Sequence, residues 1–270
     1  MLTTSQLEKG CQEAIFYWNL YEDYYHRYFV QVNDRINDND WLEFYYQKIY
    51  QAFLRQYSIR RNITADKEGE DPIGLQLIRY LQKEGYYTSL LDGDETVIDR
   101  ISEKLKETCL VPLKNKNDES KGRRSCISLL SKTAFLVNPA RYSLYDNLAK
   151  DALHMLFAGI KRNNLPARGG SNYSKKSVRK GLLSQSYEMF NSYNNILIEH
   201  LSTHHDFDQI LANSLKGFED TNAYTYFRDN PESYKRRATD KFLWITKYEN
   251  NSRTVNNARI LEFLPLSRKI

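Results

Sequence analysis

Apolar residues recur at intervals of three and four along most of this chain, and that repeat is the first thing the sequence offers. From Thr4 to Val32 the positions Leu7, Cys11, Ala14, Ile15, Trp18, Tyr21, Tyr25, Tyr28 and Phe29 follow a 3.6-residue period, which predicts one long amphipathic helix capped by Thr4 or Ser5. Asn39-Asp40 opens a second helix carrying Trp41, Phe44, Tyr45, Ile49, Phe53 and Leu54. Asp71-Pro72 opens a third, which Gly85 ends in C-cap position, and Asp94 caps a fourth with Val97, Ile98, Ile101 and Leu105 on one face. Residues 112–124 are polar and basic and read as a loop. Ile127 to Val137 is helical again, Asn138-Pro139 stops it, and Ser143 caps a helix running to about Ile160. A second basic loop, Lys161 to Lys176, precedes helices expected at Ser177 to His200, Asp206 to Lys216 and Pro231 to Lys247.

Strict alternation of apolar and polar residues is absent, and 11 glycines and 6 prolines in 270 residues are too few for the turns of a sandwich or barrel. The expected fold is therefore all-α, a single helical domain over residues 1–270. The first 110 residues are expected to form an acidic lobe and residues 111–270 a basic one. No run of 18 apolar residues occurs, and no basic segment precedes an apolar run near Met1, so no membrane association is expected and the expected location is the cytoplasm. Cys11, Cys109 and Cys126 are odd in number and widely spaced, unlike a disulfide framework or a thiolate zinc site.

The formal charge of +5 conceals a strong asymmetry. Residues 1–100 carry 11 Lys and Arg against 17 Asp and Glu, residues 101–180 carry 17 against 6, and residues 181–270 carry 11 of each. A basic block of this size suits a polyanion, because each neutralised phosphate releases a counterion. A solvated lysine-rich face has the same composition, so charge alone leaves both readings open. His200, His204 and His205 have helical zinc-ligand spacing but lack an adjacent Glu and a distant third ligand, so no metal and no cofactor are expected. No Walker A loop, dinucleotide-binding glycine fingerprint or Gly-x-Ser-x-Gly elbow is present, which disfavours nucleotide hydrolysis and serine esterase chemistry.

The stretch from Ser125 to Leu153 carries the most chemistry. Lys132 lies seven residues before Pro139 and Asp146 seven after it. With a rise of about 1.5 Å per residue, the two stand at similar heights on a helical hairpin. Helices packed at roughly 8–10 Å let a lysine and a carboxylate meet across the gap, either in a pocket or as a lock on the hairpin. Tyr142 and Tyr145 beside the acid are able to stack an extruded base, as well as to fill a core.

The run Ser131-Lys132, Phe135, Asn138-Pro139 and Tyr145-Asp146 resembles the helix-hairpin-helix DNA glycosylase superfamily, specifically bacterial proteins with the 8-oxoguanine DNA glycosylase fold. Arg236-Arg237-Ala238-Thr239-Asp240-Lys241-Phe242-Leu243-Trp244 is similar to the helix that often closes that family's chain, and Tyr57-Ser58-Ile59-Arg60-Arg61-Asn62-Ile63 to an element near the end of its first helical block. The matched stretches amount to about a sixth of the chain. The glycine-containing hairpin that precedes the nucleophilic lysine in bifunctional members is missing here, where Gly122 is the nearest glycine to Lys132.

The resemblance implies a monomeric bacterial enzyme acting on double-stranded DNA that carries a modified base. Asp146 would stabilise the sugar cation left by the departing base, and Lys132 would be a nucleophile or a positioning cation. Phosphate contacts would come from the basic block: Lys121, Arg123 and Arg124 in place of the missing hairpin, with Arg141, Lys161, Arg162, Arg168, Lys175 and Lys176. Tyr142, Tyr145 and Asn172 would line the base pocket. Some members of the resembling group remove glucosylated hydroxymethylcytosine from phage DNA, and the polar loop at 161–176 would suit a sugar-bearing base. Arg236 and Arg237 are open to a phosphate contact or a surface role, and Trp18, Trp41 and Trp244 read most simply as core anchors. A DNA-binding helical protein that keeps the fold without chemistry, and a protein-interaction domain, are the rival readings.

Overall fold

The computed structural model of the chain describes residues 3–66, 68, 70–115, 118–159 and 186–251, excluding the side chains of 157–159 and 249–251. The described residues are helical, with no sheet among them and a single antiparallel bridge, between Leu113 and Arg123. No helix among them is long and apolar enough to cross a membrane.

The N-terminal helix is capped by Thr3, whose hydroxyl accepts the Gln6 N–H while the Gln6 side chain returns a bond to the Thr3 N–H, a reciprocal capping box that displaces Thr4 and Ser5 from that role. It runs as α1 (Thr4–Tyr17), a π-helical turn (Trp18–Glu22) and α2 (Asp23–Phe29). The single period of the sequence is thus interrupted by one wide turn, and both ends of that turn, Trp18 and Glu22, are fully buried. A short α3 (Val32–Arg35) follows. Asp38 caps α4 (Asn39–Phe44) by accepting the Trp41 N–H, and a second π-turn (Tyr45–Tyr50) joins it to α5 (Gln51–Gln56).

Helices α6 (Ile73–Lys83) and α8 (Val97–Leu105) lie where the periodicity places them. Between them Gly85, at φ +70°, ends one helix and starts another, α7 (Tyr86–Leu91), which the pattern does not reveal because it is only six residues long. The next long helix, α9 (Ile127–Val137), is buried on nearly its whole circumference, from Leu129 through Val137, and forms the centre of the fold. His26 of α2 donates from Nδ1 to the Leu136 carbonyl, and the Tyr86 hydroxyl donates to the Leu130 carbonyl, so the central helix is tied from two sides.

The second arm of the expected hairpin starts later than the sequence suggests. Ser143 does not cap a helix. It is buried, its N–H donates to the Tyr187 hydroxyl, and its own hydroxyl accepts from Asn194 and Arg236, so tertiary partners have claimed its bonds. The chain stays non-helical to Asp146, and α10 (Asn147–Gly159) begins after it. The remainder is α11 (Tyr187–His204), α12 (Phe207–Leu215), an unanticipated α13 (Asn222–Asp229) and α14 (Pro231–Asn251).

α14 lies along α1 and also packs on α10, so the last helix touches both the first helix and the arm that begins at Asp146. Buried side chains from Leu7 to Leu243, on both sides of residue 110, join in one hydrophobic cluster. α1 and α14 come close at Gly10, where a Cβ would fall 2.9 Å from the Ala238 carbonyl oxygen and 3.0 Å from the Phe242 nitrogen. A side chain here must force the helices apart. Gly10→Val is expected to cost about 1–3 kcal/mol or more, read as a lowered urea midpoint; an unchanged midpoint would contradict this packing.

Candidate functional site

A cavity of about 470 Å³ opens where α1, the turn after α5, the start of α10 and α14 come together. Its wall includes Ser128, Lys132, Tyr145 and Asp146 from the central segment, Tyr57 through Asn62 in part, and Arg237, Asp240, Lys241 and Trp244 from the last helix. Each contribution has a local cause in the sequence.

Asp146 is half-buried at the N-terminus of α10, where its Oδ1 accepts the Ala149 N–H at 2.8 Å, the geometry of an N-cap. Its Oδ2 accepts the indole N–H of Trp244 at 2.8 Å. Two donors from different helices therefore fix the carboxylate plane at the cavity wall. Lys132, on α9, is 8% exposed, and its ammonium donates to the Ser128 hydroxyl one turn earlier at 2.9 Å. Burial pushes its pKa down, assisted by the cationic Arg61 and Arg237, while Asp146 and Asp240 act in the opposite sense. Ser131 supplies the link between the two: its hydroxyl accepts the Tyr145 N–H at 3.1 Å and so pins the backbone next to Asp146 against α9. Ser131 and Tyr145, the sequence neighbours of Lys132 and Asp146, are thus joined by a hydrogen bond, whereas Lys132 and Asp146 themselves bond to other residues.

Beneath the cavity lies a buried ionic cluster. Arg237 is 2% exposed; its Nε donates to Oε2 of Glu22 at 2.9 Å, its Nη2 donates to Oε1 of the same carboxylate, and its Nη1 donates to Oδ2 of Asp240. Glu22 has no exposed surface and also accepts from the Tyr57 hydroxyl at 3.3 Å. The other oxygen of Asp240 has no hydrogen-bond partner among the described residues, and burial drives that carboxyl's pKa upward. Lys241, next in sequence, rests its ammonium 3.1 Å from the centroid of the Tyr17 ring, and burial with the neighbouring Arg237 pushes its pKa down. Residues 237, 240, 241 and 244 share one face of α14 by their three- and four-residue spacing, and that face is turned on the cavity.

Of the remaining sequence candidates, Tyr145 lines the cavity, its ring edge-to-face with Phe190 and its hydroxyl accepting from Lys150. Tyr142 does not: it is wholly buried, with its hydroxyl donated to the Asp94 carbonyl, so it packs in the core and stacks nothing from outside. Lys121 pairs with Asp118, and Arg123 donates to the Val111 carbonyl within its own loop; these two, with the exposed Arg124 and Arg141, stand away from the cavity wall. Lys161, Arg162, Arg168, Asn172, Lys175 and Lys176 lie outside the described residues. Neither arginine of the last helix is a surface group: Arg236 is bonded to Ala140, Ser143 and Asn191, and Arg237 is the centre of the ionic cluster. Trp244 is a wall residue and not a core anchor. His200, His204 and His205 bring their rings together at the end of α11, and among the described residues no three His, Cys, Asp or Glu side chains are grouped to hold a metal ion.

Glu22, Asp240 and Lys241 were not legible as site residues. Glu22 did carry a signal, because it stands on the apolar stripe of the first helix between Trp18 and Tyr25, where an acid is costly unless paired. No protein-family model matches this chain, and neither a curated protein nor a solved structure matches it. The likeness to the glycosylase superfamily thus stands on the quoted residues alone.

Removing Glu22 leaves Arg237 buried with half its compensation gone. Glu22→Ala is expected to destabilise the fold by about 3–5 kcal/mol, read by chemical denaturation, and a loss below about 1 kcal/mol would contradict the cluster's assigned weight.

Proposed function

We propose that this chain is a DNA glycosylase that takes a modified base, turned out of duplex DNA, into the cavity walled by Lys132 and Asp146 and hydrolyses its N-glycosidic bond. One observation carries the reading. The three stretches that resemble the glycosylases, around residues 57–63, 131–146 and 236–244, are far apart in sequence, yet all three contribute to the wall of the same cavity.

The chemistry available there suits the reaction. As a base leaves, positive charge grows on the sugar, and a carboxylate held in place beforehand stabilises that charge without having to reorganise. Asp146, clamped by the Ala149 and Trp244 N–H groups, is such a carboxylate. It also stands ready to orient the attacking water. The cavity volume lies in the range of pockets that enclose small ligands, and the rings of Tyr21, Tyr57, Tyr145 and Trp244 on its wall offer aromatic surface for an unstacked base. Lys132 serves as a positioning group beside the carboxylate, held by its hydrogen bond to Ser128, because the glycine-containing hairpin that precedes the nucleophilic lysine in bifunctional glycosylases is missing from this sequence. The enzyme is read as a cytoplasmic bacterial monomer acting without a cofactor. A glucosylated hydroxymethylcytosine in phage DNA is the substrate to try first, which would make the activity an antiviral defence.

The test pairs phage DNA carrying the modification with the same DNA lacking it and counts abasic sites. Wild-type protein is expected to generate them on the modified DNA, and Asp146→Asn to lower the rate by roughly two to three orders of magnitude while leaving DNA binding nearly unchanged. Equal activity in Asp146→Asn removes the assignment, and binding without abasic product in the wild type favours a non-catalytic DNA-binding protein. Borohydride added during turnover is expected to trap no adduct; a covalent product mapped to Lys132 would replace the hydrolytic route with an amine nucleophile.

A further inference from the structure

The turn that follows α5 points to a phosphate contact outside the basic block. Helix α5 ends in a Schellman-type arrangement: the Ile59 N–H bonds to the Leu54 carbonyl, and Ser58 takes a left-handed conformation at φ +54° that a non-glycine residue adopts only at a cost. Ile59 is buried 3% exposed and anchors the turn. The chain is then thrown outward into a tight 3-10 turn, Arg60–Asn62, which carries two exposed arginines. Neither has an ion-pair or hydrogen-bond partner among the described residues.

Arg61 is also placed where two cavities meet. It lines the cavity of Lys132 and Asp146, and it lines a second one of about 540 Å³ whose wall includes Arg60, Thr64, Asp66 and Gly74. Its charge reaches Lys132, whose ammonium it disfavours. Asp146 and Asp240 share the first cavity wall and Asp66 the second, but none of them pairs with Arg61, so its exposed charge at the rim favours an approaching anion. Arg35 is satisfied in place by Asp38, whereas Arg61 combines the lack of an ion pair among the described residues with a place on two cavity walls.

We infer that Arg61, with Arg60 beside it, holds the backbone phosphate attached to the nucleotide lodged in the Lys132–Asp146 cavity. This rests on the reading of that cavity as a nucleotide pocket. The guanidinium fork suits a phosphodiester because it offers paired donors to two oxygens at once. On this assignment the element Tyr57–Ile63 exists to deliver a phosphate clamp: the left-handed residue turns the chain, the buried isoleucine fixes it, and the arginines are carried to the rim.

The test uses a DNA duplex containing a tetrahydrofuran abasic analogue, so it depends on neither the identity of the excised base nor on turnover. Binding is followed by fluorescence anisotropy between about 50 and 200 mM salt. Wild-type affinity is expected to fall with salt, and Arg61→Gln to lower the steepness of log K against log salt by about 1. Arg60→Gln is expected to act in the same direction, Arg61→Lys to retain the wild-type slope, and Arg35→Gln to leave it unchanged. A wild-type slope in Arg61→Gln, or no salt-dependent binding by the wild type, overturns the inference. Unaltered slopes together with base release would remove the clamp and keep the glycosylase reading; a lowered slope without base release in any substrate would do the reverse.

Discussion

Arg237 is enclosed between Glu22 and Asp240 with almost no access to water, and much of this molecule's architecture follows from that arrangement. Taking ions out of water costs several kcal/mol each, an expense offset only when the partners are fixed and the geometry is good. Glu22 comes from the π-turn of the first helix, and Arg237 with Asp240 from the last. The pair therefore sets both the rotation and the axial position of α14 against α1. Gly10, where the two backbones nearly touch, lets the helices come close enough for the ions to meet.

Once α14 is fixed in rotation, the rest of the site is determined by helical spacing. Lys241 is one turn beyond Arg237 and Trp244 two turns beyond, on the same face. That places the indole N–H within hydrogen-bonding distance of Asp146, whose other oxygen is already occupied by the first turn of α10. Lys132 approaches from the central helix, held by Ser128, while Ser131 ties the segment bearing Asp146 to the same helix. The cavity wall carries Asp146 and Asp240 with Lys132, Arg237, Lys241 and Arg61, so bases outnumber acids along it, while Glu22 is buried behind Arg237. Arg61 lines this cavity and the neighbouring one and is exposed, with no ion pair among the described residues.

Much of the helical framework could be read from the 3.6-residue period, because long amphipathic stretches such as Ile73–Lys83 and Val97–Leu105 have one apolar face and recognisable ends. The short helices Tyr86–Leu91 and Asn222–Asp229 could not, since six to eight residues give too few turns for a period to stand out. Ser143 shows why cap residues mislead: a serine before a helical run is a reasonable N-cap, but here Tyr187, Asn194 and Arg236 take its bonds, and the helix waits for Asp146. Lys132 and Asp146 both reach the cavity wall, but no ion pair joins them among the described residues, and equal rise on a helical hairpin does not place them, since Asp146 precedes its helix. Glu22, Asp240 and Lys241 were not legible, because a buried ion cluster depends on which distant helix faces which, and a local pattern carries no such information. Tyr142 and Tyr145 divide for the same reason, three residues apart yet one in the core and one at the cavity.

The most direct measurement is a crystal structure of the chain bound to duplex DNA carrying a cationic pyrrolidine analogue of the sugar that loses its base. The extruded nucleotide is expected to occupy the Lys132–Asp146 cavity, with the Asp146 carboxylate against the pyrrolidine nitrogen and the Trp244 bond to Asp146 intact. DNA seated on another face, with the analogue still stacked in the duplex and the cavity untouched, would contradict it.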